Sequence, residues 1–310
     1  MRYTAPQPEL PSLPLEAWEE SKMTLHLILQ IIGKIKLKLM PRKNHWWYIT
    51  EHMSATGFST LSIPYGQEMF EIRLNLKDSR VEIISSWAEE VQIMLQNGMS
   101  VGNFYKQICQ RLNEIGVEVD IIARPFDLPI KESFDKIEQY HHWDIEYIQR
   151  FWKIMRWVDG VLKEFSGRFY GKTCPVHLYW HHMDLTVTRF SGEKAPPMPA
   201  TASVVEKDAY SHEVISFGFW AGDDNTPAPA FYAYTYPSPQ GLDEEKLSPS
   251  SAKWIDANGS PMALLMYDDL RQMDDPREAL LGFLESAYQA GAKRAYWNTE
   301  HLSVPTLDKM

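Results

Sequence analysis

Two long apolar stripes, each followed by a run of short alternating segments, constrain this chain more than any other feature. Leu25, Ile28, Ile32, Ile35 and Leu39 recur at 3-4-3-4 spacing, the period of one helix face. Pro41 ends the pattern, so a helix is predicted from about Pro14 to Leu39. Ile148, Trp152, Met155, Leu162 and Phe165 give a second stripe and a helix from about Asp144 to Phe165. After the first stripe, Trp46–Ala55 and Phe58–Pro64 flank a Thr56-Gly57 turn. Phe70, Ile72, Leu74 and Leu76 then alternate with Glu71, Arg73, Asn75 and Lys77, the pattern of a half-buried antiparallel strand. Further strands are expected at Val81–Ser85, Val91–Leu95 and Val117–Ala123, the last after a helix at Val101–Ile115 that Gly116 stops. After the second stripe, strands are expected at Val176–Trp180, Leu185–Phe190, Val214–Trp220, Phe231–Tyr236 and Ala263–Met266, then a helix at Pro276–Ala290.

This order reads as an α+β protein with two similar helix–antiparallel sheet–helix halves packed as one body. The divisions are an extended, Pro-rich arm at 1–14, a first half at 15–123, a connector at 124–142 and a second half at 143–310. Lys34 to Tyr48 and Lys163 to Tyr179 share a basic helix end, a Pro or Gly break and a His beside aromatics. That likeness suggests an internal duplication; a coincidence of element order is the alternative.

Composition excludes some classes. A net charge of −10 disfavours a nucleic-acid binder, whose affinity needs clustered Lys and Arg. The one basic run, Lys34, Lys36, Lys38, Arg42 and Lys43, reads as a solvated helix end facing the negative C-terminal dipole. Two cysteines, Cys109 and Cys174, make no disulfide framework and fit a cytoplasmic protein. Leu25–Leu39 is too short and too polar to span a bilayer, so no membrane partner is expected.

Function should lie in three stretches where polar residues sit among aromatics: Asn44-His45-Trp46-Trp47, Pro175 to Arg189, and Tyr210-Ser211-His212-Glu213. That mixture is expected at a pocket. His177 and His212, with Asp184 or Glu213, offer a His–carboxylate pair for proton transfer. His45, Trp47, Lys172, Arg189, Tyr210 and Trp220 would contact the ligand, Arg189 and Lys172 holding an anionic group. Arg189 continues the apolar face of Leu185 and Val187, so its charge needs a partner, Glu213 first or an anion in the pocket. Tyr232, Tyr234 and Tyr236 share a strand face, fit either to stack on a ligand or to pack against a helix. His45, His177, Asp184, Arg189, His212 and Glu213 are expected to gather around one cavity. On the first predicted helix, His26, Gln30 and Lys34 form a polar line that faces solvent or lines a cavity.

Other chemistry is less defined. His45, His177, His212, Asp184 and Glu213 are metal-ligand types, but their spacing matches no ligand motif, so the metal is unknown. No Gly-rich phosphate loop is present, and the cofactor is unknown too. Cys174 beside Pro175 reads as a packing residue, with a nucleophile near His177 as the sharper alternative.

The chain resembles, over nearly its whole length, a bacterial family known only as a domain of unknown function. The resemblance rests on Thr24-Leu25-His26-Leu27, Gln30 to Lys34, Asn44 to Trp47, Ile63 to Gly66, Gly171-Lys172, Pro175-Val176-His177, Asp184 to Gly192, Ala209 to Val214, Gly218-Phe219-Trp220 and Phe231 to Tyr234. It departs at His181-His182-Met183, where the family carries Gly-Ser-Phe or similar, which weakens any role for those two histidines. The resemblance names a family and brings no activity with it. The expected function is acid–base catalysis on a small polar or anionic molecule. A non-catalytic sugar- or anion-binding protein and a metal-dependent hydrolase or oxygenase are the alternatives, and the oligomeric state is open.

Overall fold

The computed structural model describes residues 9–223 and 226–305. Most of the expected N-terminal arm, residues 1–8, therefore lies outside the described residues. Its last part carries Leu10 and Leu13, both buried.

The first stripe forms α1, Glu19–Leu39. Glu19 and Glu20 in its first turn and Lys36 and Lys38 in its last complement the helix dipole. The helix is buried on every side from Thr24 to Lys36, not along one stripe, so it is a central element rather than a surface one. The polar line accordingly lies inside the protein rather than in solvent. Gln30 bonds the backbone N–H and C=O of Phe126, and His26 Nε2 lies 3.0 Å from the His181 carbonyl oxygen, fastening connector and β-turn to the helix. Lys34 and Lys36 are buried too, which corrects the reading of the basic run as a solvated end. At Gly33 a methyl group would overlap the Trp180 ring, so only glycine lets the second half close on α1.

The first sheet holds β1 (His52–Met53), β2 (Gly57–Ser59), β3 (Ile63–Tyr65), β4 (Glu68–Asn75), β5 (Arg80–Ser85) and β6 (Val91–Met94). It is antiparallel throughout, in the order β1-β2-β4-β5-β6 with β3 on β4. The single strand expected over Trp46–Ala55 does not form: Asn44–Trp46 is a 3-10 turn and only His52–Met53 make a strand, with Glu51 in an isolated bridge. His45 and Trp46 have φ of 56° and 59°, a left-handed conformation incompatible with a strand. Helix α2, Val101–Glu114, is capped by Ser100 accepting from the Asn103 N–H. Val117–Ala123, expected as a strand, joins no sheet.

The second stripe forms α3, Ile145–Gly167, capped by Asp144. The second sheet holds β7 (His177–Tyr179), β8 (Asp184–Lys194), β9 (His212–Trp220), β10 (Ala230–Tyr236), β11 (Lys253–Ala257) and β12 (Ser260–Met266), in the order β11-β12-β10-β9-β8-β7. The short helices α4 (Val204–Ala209) and α5 (Tyr267–Arg271) and the strand β11 are additions to the expected elements. Helix α6, Pro276–Arg294, has the expected proline in its first turn. The described residues thus form an α+β protein with two antiparallel sheets. The first sheet follows α1 and precedes α2, the second follows α3 and precedes α6, and their strand orders differ where β12 lies between β10 and β11. The sheets meet edge to edge where the backbones of Glu51 and Leu178 exchange hydrogen bonds of 3.0 and 2.7 Å.

Candidate functional site

Strand alternation sorts the second sheet into two faces. Leu185, Val187, Arg189, Ile215, Phe217, Phe219, Phe231 and Ala233 face α3 and α6; Phe165 of α3 meets Phe217 edge-on at 4.8 Å. The opposite face is built by register: Tyr179 opposite Asp184, then His177, Thr186, Gly218 and Tyr232 in one row, Thr188, Ser216 and Tyr234 in the next, and Phe190, Val214 and Tyr236 beyond. Its floor is hydroxyl and aromatic, with little of the aliphatic content of a packing face.

This face is partly open. Tyr179, Asp184, Thr188, Tyr210, His212, Trp220, Tyr234 and Tyr236 are all half-buried. Yet protein surrounds several of them closely enough that burial, ahead of any neighbour, drives the Tyr179, Tyr232 and Tyr234 hydroxyls well above the ordinary tyrosine range. The Tyr232 hydroxyl donates to Asp184 Oδ2 at 2.6 Å, and the Tyr210 and Tyr234 hydroxyls lie 3.3 Å apart. Burial raises the Asp184 pKa, and the Tyr232 hydrogen bond partly offsets this by favouring the carboxylate. Gly218 makes the geometry possible, because a methyl there would run into the Tyr232 ring.

One end of the face is positive. The loop Asn44–Trp46 reaches across from the first half and places His45 5.3 Å from His212, ring to ring. His45 Nδ1 donates to the Ala209 carbonyl at 3.4 Å, so Nε2 accepts from the Lys172 amine at 2.8 Å. That amine sits over the Phe190 and Trp47 rings, 4.5 and 5.5 Å from their centroids. Lys172 is exposed as a residue, but its amine end lies against these rings, and partial burial lowers its pKa. Burial first, then Lys172, holds both His45 and His212 below the usual imidazole range. The consecutive left-handed residues His45 and Trp46 are strained, and such strain concentrates at functional sites.

The expected residues separate accordingly. His45, Trp47, Lys172 and His212 form the positive corner; Tyr210, Asp184 and Trp220 lie along the same face. Arg189 does not. It is 1% exposed on the helix side, donates to the Phe165 carbonyl at 2.6 Å, lies 3.9 Å from Glu285 and stacks 3.6 Å over Phe165 and 4.4 Å over Tyr288. Its partner is therefore not Glu213, and it reaches no ligand on the open face. Glu213 also alternates to the helix side, away from His212. None of the expected His–carboxylate pairings forms: His212 Nδ1 lies 3.1 Å from Ser211 Oγ, the His177 nitrogens have no hydrogen-bond partner among the described residues, and Asp184 is bonded to a tyrosine. Cys174 accepts from the Thr188 N–H, and burial pushes its thiol up to about 11, so it packs rather than attacks. Among the described residues no group of three or more His, Cys, Asp or Glu side chains is placed to hold a metal ion.

His177 ends the Thr186 row at the β7 edge, where the face meets a second polar cluster at the junction of the sheets. It is 1% exposed, stands 4.9 Å from Tyr179 and 6.2 Å from His52, and neither ring nitrogen has a protein partner among the described residues. Burial, with His52 and Lys36 adding to it, drops its pKa to about 3. Buried Lys36 donates to the Thr50 carbonyl near buried Glu51, and desolvation moves each toward neutrality, both to about 8. A hollow of about 360 Å³ opens beside His52, Lys163 and Ser166, and another of about 630 Å³ lies at the start of α2. Neither contains the tyrosine face. The larger is a rim of unrelated surface polar groups without buried chemistry.

Sequence reading missed Tyr179, Thr188 and Ser216 as floor residues, and Lys36, Glu51 and His52 as a cluster. Period-two alternation from Asp184 shows Thr188, whereas Tyr179 and Ser216 join it through the register of β7 and β9. The cluster has no local signal, because a helix, a loop and a strand bring it together.

With that geometry in place, the kinship is plain. The profile of a family of unknown function, DUF5996, matches residues 10–304, and the chain belongs to that family. No curated protein and no solved structure matches it. No helix of the described residues is long and apolar enough to cross a membrane.

Proposed function

We propose that this protein is an enzyme that acts by acid–base chemistry on a small polar or anionic molecule bound on the tyrosine-lined face. The carrying observation is Asp184. Its carboxyl is biased toward the protonated form, is bonded at 2.6 Å to the Tyr232 hydroxyl and is still partly open to solvent. A carboxyl whose pKa is raised by burial is more readily protonated than an ordinary aspartate, the direction a general acid needs. Tyr179, Tyr210 and Tyr234 orient the ligand, and the Trp220 ring offers it a flat wall.

A non-catalytic binding protein is the second reading. It is favoured by the partners of the histidines, since no imidazole contacts a carboxylate on this face. The two readings separate in one experiment. A thermal-shift screen of metabolite classes identifies a binder, and NMR of that binder with wild type and Asp184→Asn follows its fate. Conversion by wild type and none by Asp184→Asn supports the enzyme. A ligand that binds and is recovered unchanged refutes it.

The two halves are proposed to descend from one duplicated unit, on their shared helix–sheet–helix order. Superposing 15–123 on 144–290 should align the helix and at least three strands; failure to do so ends the idea. A cytoplasmic location is supported by the two free cysteines and is checked by cell fractionation.

A further inference from the structure

We infer that the corner formed by Lys172, His45 and His212 anchors the anionic group of a small hydroxylated molecule, the remainder of which lies along the tyrosine-lined face. The inference rests on the reading of that face as a ligand site and names what the site takes.

The corner holds a cation with no counter-charge. Among the described residues Lys172 has no carboxylate within 4.0 Å; its side-chain partner is the His45 imidazole. That imidazole is fixed as an acceptor by the Ala209 carbonyl, so it aims the ammonium without neutralising it. Phe190 and Trp47 fix the ammonium from the sides by cation–π contact. Asp208, the nearby carboxylate, is turned to Arg42 at 3.6 Å. Lys194 stands opposite His212 across the β8–β9 ladder and adds to the positive potential. A partly desolvated cation with no carboxylate at ion-pair distance is stabilised by an anion that brings its own oxygens.

The neighbouring rows specify the rest of the ligand. Two residues along β8, roughly 7 Å at the rise of a strand, are the Thr188–Ser216 hydroxyl pair, 2.9 Å apart, and the Tyr210–Tyr234 pair. These groups both donate and accept, which suits hydroxyl groups rather than a second charge. Beyond them lie Asp184 and Trp220, an acceptor and a flat ring, the usual means of holding a hydroxylated carbon skeleton. Carboxylate and phosphate are served equally by the corner, and the probes distinguish them.

The test is equilibrium binding of four probes to the full chain: glucuronate, glucose 6-phosphate, glucose and inorganic phosphate. One or both charged sugars should bind, and more tightly than glucose or phosphate alone. Lys172→Met should weaken the charged sugar by about tenfold, the size of one charge-assisted hydrogen bond, and Lys172→Arg should retain most of the affinity. The retained binding of Lys172→Arg shows that losses in Lys172→Met do not come from misfolding. Absence of binding by both charged sugars overturns the inference. So does equal binding of glucose and its charged forms, phosphate binding as tightly as glucose 6-phosphate, or wild-type affinity in Lys172→Met. Asp184→Asn separates the two levels: if it weakens binding while Lys172→Met does not, the anchor falls and the ligand face stands; if neither changes binding, both fall.

Discussion

Replacing His177 by Phe should make the protein more tolerant of acid. The folded state holds this imidazole neutral with a pKa of about 3, against an ordinary value of 6.5. Below pH 6.5 the unfolded chain therefore binds a proton that the native state refuses. The stability that His177 contributes is complete above pH 6.5 and is lost progressively as pH falls toward 3. Each pH unit inside that window costs about 1.4 kcal/mol, so the loss between pH 7 and pH 5 is about 2 kcal/mol. A phenyl ring at this position has nothing to titrate. Glu51 works in the opposite direction, since its raised pKa of about 8 makes the folded state the better proton binder between 8 and 4.5. The wild-type slope alone is thus a sum of opposed terms, and only the difference between the two proteins isolates His177. Urea unfolding at pH 7 and pH 5, followed by tryptophan fluorescence, measures it. At pH 7 the substitution should be close to neutral, because it removes two buried nitrogens that have no protein partner. Equal losses between pH 7 and pH 5 in wild type and His177→Phe would refute the reasoning.

Tyr232→Phe removes the donor that favours the Asp184 carboxylate, so the Asp184 pKa should rise further; carboxyl infrared bands followed against pH report it, and an unchanged midpoint means the 2.6 Å bond is not maintained in solution. Gly218→Ala should displace the Tyr232 ring, costing about 1–3 kcal/mol by overpacking and moving the Asp184 titration in the same direction as Tyr232→Phe. Arg189→Ala should destabilise the fold by about 3 kcal/mol through the cavity left between Phe165 and Tyr288, with ligand affinity on the open face unchanged in the fraction that remains folded; a selective loss of binding would return Arg189 to the site.

The fold is legible in the sequence where one physical signal acts alone. The 3-4 stripes mark both long helices, and alternation marks β4, β8, β9 and β10 with their faces. Legibility fails where backbone geometry overrides composition. Asn44 to Tyr48 is rich in strand-forming aromatics, but the left-handed His45 and Trp46 turn it into a loop. Arg189 shows the limit for function. Its place on an apolar strand face follows from the alternation, and so does its need for a partner. Which partner it takes depends on a helix carbonyl 24 residues away in sequence, and no spacing rule reveals that. His177 stands out by its chemistry, while its isolation from any carboxylate follows from the packing of three separate elements.

The proposed face draws on both parts of the chain. Every floor residue of the face comes from the second half, whereas His45 and Trp47, which hold the Lys172 ammonium, come from the first. The junction that brings them within reach is polar at its centre: the Glu51–Leu178 backbone bridge, the buried Lys36 and Glu51, and His177 behind them. Polar groups so withdrawn from water add little net stability but penalise misalignment, because a slip leaves the Lys36 amine and the Thr50 carbonyl without each other. The joint therefore favours one relative placement of the sheets over near alternatives. That placement sets His45 over the second sheet's positive end. A Glu51→Gln variant, which removes one side of this balance while keeping shape, should leave each sheet folded and loosen the joint. Hydrogen exchange of the Glu51 and Leu178 amides measures that loosening directly. Faster exchange confined to those amides and to the Asn44–Tyr48 loop is the expected result, and protection equal to wild type would show that the junction is held by its apolar contacts alone.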